Sequence, residues 1–232
     1  MGFFDFLKPK QDPLGELTEK DPRIRRILLR AWSELVGKQA NNLRIVGRND
    51  EADKTVAEFL QKVFQEFRNE PQNPQHLSVL TDVAMELGTL EAAKNILETA
   101  IKEKDHFSLD LTLVYTDLGR IYHDLMDPDK ELWCYEKGAE AKAPPSCKYP
   151  ATHRQKAIAH YFAYLCLTNM SYTWEFYMEK RGAGADEIAR AREKHRTDKQ
   201  RADSHKRMAG ELVPEVNWDD YPQVKKLIIS ER

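Results

Sequence analysis

Residues 77–100 read LSVLTDVAMELGTLEAAKNILETA. Leu77, Leu80, Val83, Ala84 and Leu87 recur at three- and four-residue steps, and so do Ala92, Ala93, Ile96, Leu97 and Ala100. Each set forms one apolar stripe of an α-helix. Gly88-Thr89 between them is a tight turn, because glycine adopts backbone conformations that end a helix. A connection this short folds the two helices back against each other. The unit is an antiparallel helical hairpin, and one hairpin cannot bury its apolar face alone.

The same pattern extends in both directions. Upstream, Ile24, Ile27, Leu28, Ala31, Trp32, Leu35, Val36, Leu43 and Val46 keep the helical period, with Asp21-Pro22 as the start signal. Asn49-Asp50 opens a helix through Val56, Phe59, Leu60, Val63, Phe64 and Phe67 that stops before Pro71. Downstream, a helix after Ser108 carries Leu111, Val114, Tyr115, Leu118, Ile121, Tyr122 and Leu125. Asp127-Pro128-Asp129 breaks it and starts the next, with Leu132, Trp133, Tyr135 and Ala139, ended by Pro144-Pro145. A further helix over residues 153–167 is rich in Ala, Tyr and Phe, and residues 172–178 extend it or begin another. Gly182-Ala183-Gly184 is a flexible joint before a charged helix at residues 186–208. Residues 224–229 are the one candidate strand. The expectation is an all-α chain of three to four antiparallel hairpins, with a charged C-terminal helix and a tail. The division reads 1–21, an amphipathic N-terminal segment; 22–180, the hairpin domain; 181–210, the charged helix; and 211–232, the tail.

Composition narrows the function classes. The 232 residues hold 36 Lys and Arg against 38 Asp and Glu, a net charge of −2, which excludes a globally basic nucleic-acid binder. Mean hydropathy is −0.68, and no apolar run has membrane-spanning length. The N-terminal MGFFDFLKPK places its basic residues after the apolar patch, so it reads neither as a secretory signal nor, lacking Ser or Thr at position 6, as a myristoylation site. Cys134, Cys147 and Cys166 have no paired spacing and point to reduced, structural thiols in a cytosolic compartment.

Residues 24–170 resemble the tetratricopeptide repeat. Leu77, Leu80, Ala84, Gly88, Ala93, Leu97 and Ala100 stand where that repeat keeps its core and turn residues, although Thr81 replaces the usual Gly or Ala and Asp105 the closing proline. Leu118-Gly119-x-x-Tyr122, with Tyr115 before it, matches the first-helix signature of the next hairpin. Tyr135 and Gly138 fit its second helix, and Glu131 departs. Residues 127–139 are also similar to the related Sel1-like repeats. Gly47, Ala52, Val56 and Phe59 align the first hairpin, and Ile158, Ala159 and Phe162 open a fourth unit. Thr81, Gly119 and Ala159 lie about 40 residues apart against the 34 of a regular array, so the array would be divergent with extended linkers.

The resemblance implies a superhelix that holds a protein or peptide in its concave groove, without catalysis and without cofactor or metal. The groove positions map to Ser78, Asp82 and Met85; to Thr116, Arg120 and His123; to Lys156 and His160; and to Asn41 and Arg44 in the first hairpin. The subtype that clamps a C-terminal carboxylate is excluded, because Val79, Asp82, Leu113 and Asp117 occupy its basic and amide positions, and an aspartate there repels a carboxylate.

Catalytic patterns are weak. His153 and His160 share no acid at metal-ligand spacing, and Tyr122-His123-Asp124 are adjacent on a helix and point apart. The nine Lys and Arg of residues 181–209 are interleaved with five acids and no aromatic residue, so a solvated capping helix is expected rather than a nucleic-acid arm. Phe3, Phe4, Phe6 and Leu7, followed by Lys8 and Lys10, either fold back on the first hairpin or make weak contact with a membrane surface or partner. The tail around Trp218 either packs on the last hairpin or acts as a docking peptide. The leading expectation is a cytoplasmic adaptor. The alternatives are a structural subunit of a larger complex, a homo-oligomer included, and a peripheral membrane adaptor.

Overall fold

The computed structural model describes residues 22–69, 77–78, 81–82, 84–85, 89–104, 108–180 and 184–231, with side chains described for 33–62 and for 77 onwards except 171–180. The phenylalanines of the N-terminal segment, and Leu80, Val83, Leu87, Gly88 and Asp105 of the second hairpin, lie outside these residues. Eight helices and no strand occur among them. The chain is all-α. It divides into two compact units, residues 1–96 and 97–232.

In the first unit, α1 (Pro22–Ile45) and α2 (Asn49–Asn69) pack together. The turn between them follows from Gly47 at φ +78°. Gly47 N–H donates to the Arg44 carbonyl and Arg48 N–H to the Leu43 carbonyl, at 3.0 and 2.9 Å, which satisfies two carbonyls the helix end would leave open. Ser33, Val36 and Ala40 of α1 and Ala52, Val56, Phe59 and Leu60 of α2 are buried. Leu35 and Val46, expected in the apolar stripe, are instead 57% and 67% exposed, because the buried line runs through the polar Ser33. Residues 77–78, 81–82 and 84–85 are helical, with Leu77, Ser78, Thr81 and Ala84 buried. Thr89 then opens α3 (Leu90–Lys102), whose residues 97–102 belong to the second unit, accepting at its carbonyl from Ala92 and Ala93.

The second unit is built on a short hairpin and a long one. In the short hairpin, α4 (Thr112–Asp124) and α5 (Pro128–Glu140) are joined by three residues. Met126 takes φ +59° there, and its N–H and that of Asp127 donate to the carbonyls of His123 and Tyr122. Asp127 caps α5, accepting from Lys130 N–H, with Pro128 at the first position. The two helices approach where side chains are missing: a Cβ at Gly119 would stand 2.5 Å from the Tyr135 ring, and one at Gly138 would stand 3.0 Å from the Thr112 carbonyl.

In the long hairpin, α6 (His153–Lys180) and α7 (Ala185–Leu212) form the most extensive helix pair, and each runs about 40 Å at 1.5 Å per residue. Residues 172–178 therefore continue α6. The charged sequence of α7 hides a narrow packing stripe of Asp198, Ala202, His205 and Ala209. Alanines bring its axis close to α6 although few large apolar side chains are available. Residues 224–229, the candidate strand, belong to α8 (Tyr221–Ser230). Pro222 begins that helix, and Val224 and Leu227 face α6 at helical spacing. The tail also joins this core: Trp218 is buried, lies 5.3 Å from the Tyr161 ring, and donates its indole N–H to the Val213 carbonyl. Burying a side chain of this size contributes about 2–3 kcal/mol.

Candidate functional site

The mapped groove positions divide into half-exposed and buried groups. On α1, Asn41 is exposed, and Arg44 donates to Asp53 of α2 at 2.7 Å. Ser78 is buried, and Asp82 and Met85 are half-buried. On α4, Thr116 is buried against Gly138, its hydroxyl donating to the Thr112 carbonyl at 2.7 Å. That side chain serves the α4–α5 contact and is not offered to solvent.

Arg120 and His123 follow one and two turns further along α4. Arg120 donates to the buried Asp117 at 3.1 Å. His123 keeps a 64% exposed side chain, with its Nδ1 at 3.1 Å from Glu131 Oε1. Burial pushes the Glu131 carboxyl above its usual range, and the facing His123 pulls it part of the way back. Tyr122 lies on the other side of α4 and donates its hydroxyl to Glu98 at 2.9 Å. His123 therefore presents most of its ring, and Arg120 the 19% of its side chain that stays exposed, at a surface whose backing is already bonded.

On α6, Lys156 is half-buried and His160 is buried. His160 Nδ1 stands 2.9 Å from Nδ1 of His205 on α7. The other nitrogen of His205 is 3.5 Å from Glu136 on α5, which also accepts from Arg201. Arg201 reaches Asp198 as well, at 3.3 Å. This chain of groups ties α5, α6 and α7 together. One proton fits between the two facing nitrogens, so one ring donates and the other accepts. Burial, then the neighbouring His205 and Lys156, hold His160 down to about 4. His205 and Arg201 hold the Glu136 carboxyl below its usual range, against the effect of burial.

Sequence reasoning found His160 and missed His205, Glu136 and Arg201. The signal was present as the four- and three-residue steps of Asp198, Ala202, His205 and Ala209, but the charge of α7 masked it. His153, considered with His160, is exposed at the start of α6. Cys134 and Cys166 are buried, and desolvation pushes both thiols up to about 12, so both stay protonated at neutral pH. Among the described residues no three His, Cys, Asp or Glu side chains converge as metal ligands, and no helix is long and apolar enough to cross a membrane. No protein-family model, curated protein or solved structure gives a significant match to this chain.

Proposed function

We propose that the chain is a non-catalytic interaction scaffold of tetratricopeptide-like hairpins, which holds a partner protein along the first helices of its hairpins. The observation that carries this reading is the α4–α5 contact. Gly119 lets Tyr135 lie on the backbone of α4, and Gly138 lets α5 meet Thr112 and Thr116. Gly119 is the first-helix position at which the repeat motif keeps a small residue to bring its helices together; Gly138 fits a further second-helix position, while Glu131 stands where the second helix usually keeps its small residue. Beside that contact, Arg120 and His123 offer a polar surface that is braced from behind by Asp117 and Glu131. A braced surface loses little conformational freedom when a partner binds.

The test is the double substitution Arg120→Ala and His123→Ala in the full chain. A partner identified by affinity purification should bind at least tenfold more weakly in titration, with helicity by circular dichroism unchanged. Equal affinity in the native-like variant would remove this face from the binding surface.

A further inference from the structure

A cleft of about 340 Å³ lies in the second unit, at the end of the short hairpin away from the Met126 turn. That volume falls in the range of ligand pockets. Leu111, Tyr115 and Pro144 give it an apolar floor, and Lys104, Lys137 and Lys142 stand around it. Glu140 is the one acid among its described lining residues, and it is 3.9 Å from Lys137 with its side chain 72% exposed. The cleft therefore has a net positive rim over an apolar base.

Its walls are held by bonds between distant parts of the chain. The buried Asp110 carboxylate accepts from Thr112 N–H at 2.9 Å and from Ala151 N–H at 2.8 Å. Ser146 donates its hydroxyl to that of Ser108 at 2.7 Å, and Ser108 is held at φ +46°. These links tie the segment before α4 to the segment before α6. The shape is thus set before any ligand arrives, which lowers the cost of binding.

The chemistry is ordered along α5. Trp133 is half-exposed and meets the Tyr115 ring edge-on at 5.6 Å. Lys137 lies one turn further along the same face, and Lys142 follows the end of the helix. From Trp133 to the end of α5 is about 10 Å, the length of about three extended residues. An apolar contact at one end and cations at the other match a peptide with an apolar residue followed by acids.

We propose that this cleft docks an acidic linear segment of a protein partner, its apolar side chain on Tyr115 and Trp133 and its carboxylates among Lys104, Lys137 and Lys142. The inference rests on the scaffold reading and adds the partner's chemistry and a second contact surface. A nucleic acid fits less well, because three lysines beside one glutamate match a short run of carboxylates rather than a continuous phosphate backbone.

The experiment is a fluorescence-polarisation titration of the full chain with a labelled peptide carrying one leucine followed by three glutamates. Companion probes replace the glutamates by glutamine, replace the leucine by serine, or substitute a single-stranded oligothymidylate. The glutamate peptide should bind, and weaken severalfold between low and physiological salt. The glutamine twin and the Lys137→Glu/Lys142→Glu chain should each bind at least tenfold more weakly, and the serine twin should be weaker too. Lys225→Glu, a charge reversal on the exposed face of α8, should leave binding unchanged. If the double variant loses helicity, Lys142→Gln, outside the helices, replaces it and should still weaken binding. Equal binding of the glutamine twin, undiminished binding by a folded lysine variant, tighter binding of the oligothymidylate, or no binding at millimolar protein would each overturn the proposal. The titration needs no native partner, so it fails separately from the Arg120 and His123 experiment.

Discussion

Gly119 occupies the tightest point between α4 and α5. Alanine is the better helix former by about 1 kcal/mol, so on propensity alone Gly119→Ala would stabilise the chain. The packing argues the other way. An added Cβ would stand 2.5, 2.7 and 3.0 Å from three atoms of the Tyr135 ring. That ring is 3% exposed and has Phe162 at 5.2 Å beside it, so it has little room to retreat. Overpacking of this kind costs about 1–3 kcal/mol, and the extra strain outweighs the propensity gain. Gly119→Ala should lower the unfolding free energy by up to about 2 kcal/mol in urea denaturation. Adding Tyr135→Leu, which removes the ring, should make the two substitutions strongly non-additive. A stabilised single variant would mean that α4 and α5 are not in this contact.

The turn between α4 and α5 shows how a short connection can work with an unfavourable residue. Its geometry calls for a left-handed residue after α4, and glycine supplies this without strain. Gly47 does so between α1 and α2, whereas Met126 does so between α4 and α5. Met126 is 85% exposed, so its side chain returns no burial for the backbone cost. Met126→Gly should therefore raise stability by about 0.5–1 kcal/mol and move the urea midpoint upward with the slope unchanged. The same element shows what could be read in advance. Asp127-Pro128 announced the start of α5 correctly, because the cap and the proline act locally. Residues 224–229 stand as a candidate strand in the sequence because a short apolar run carries no reliable period. Only contact with α6 makes Val224 and Leu227 one face.

Within the second unit, α5, α6 and α7 meet at a partly buried titratable cluster. His160 on α6 faces His205 on α7, with Lys156 near it on its own helix, and His205 faces Glu136 of α5, which Arg201 of α7 also holds. His160 titrates at about 4 in the folded chain against an ordinary 6.5, so the unfolded chain takes up the proton first as pH falls. Stability from its burial is complete above about pH 6.5 and is lost as pH falls towards 4, with an upper bound of about 3 kcal/mol. The Glu136 carboxylate contributes in the same direction at lower pH, because its pKa is already below the ordinary 4.5. Thermal melts between pH 7.5 and 4.5 should show a steady fall in melting temperature that His160→Gln reduces. An unchanged pH slope in that variant would place the acid sensitivity elsewhere. The cluster was only partly legible beforehand: His160 lies in an apolar helix, but its partners are 24 and 45 residues away in a different chemical setting.

Local chemistry was sufficient to establish that this chain is helical and where α5 begins. Those outcomes depend on neighbours within a turn or two, so periodicity and caps carry them. Three other outcomes arose only when distant segments met. They are the burial of Thr116 and His160 at positions that face outward on the repeat pattern, the packing of the charged α7 on α6, and the lysine-rimmed cleft whose flanking segments Asp110 and Ser146 tie together. Each depends on which atoms come within a few ångströms across dozens of residues, and spacing along the chain does not encode that.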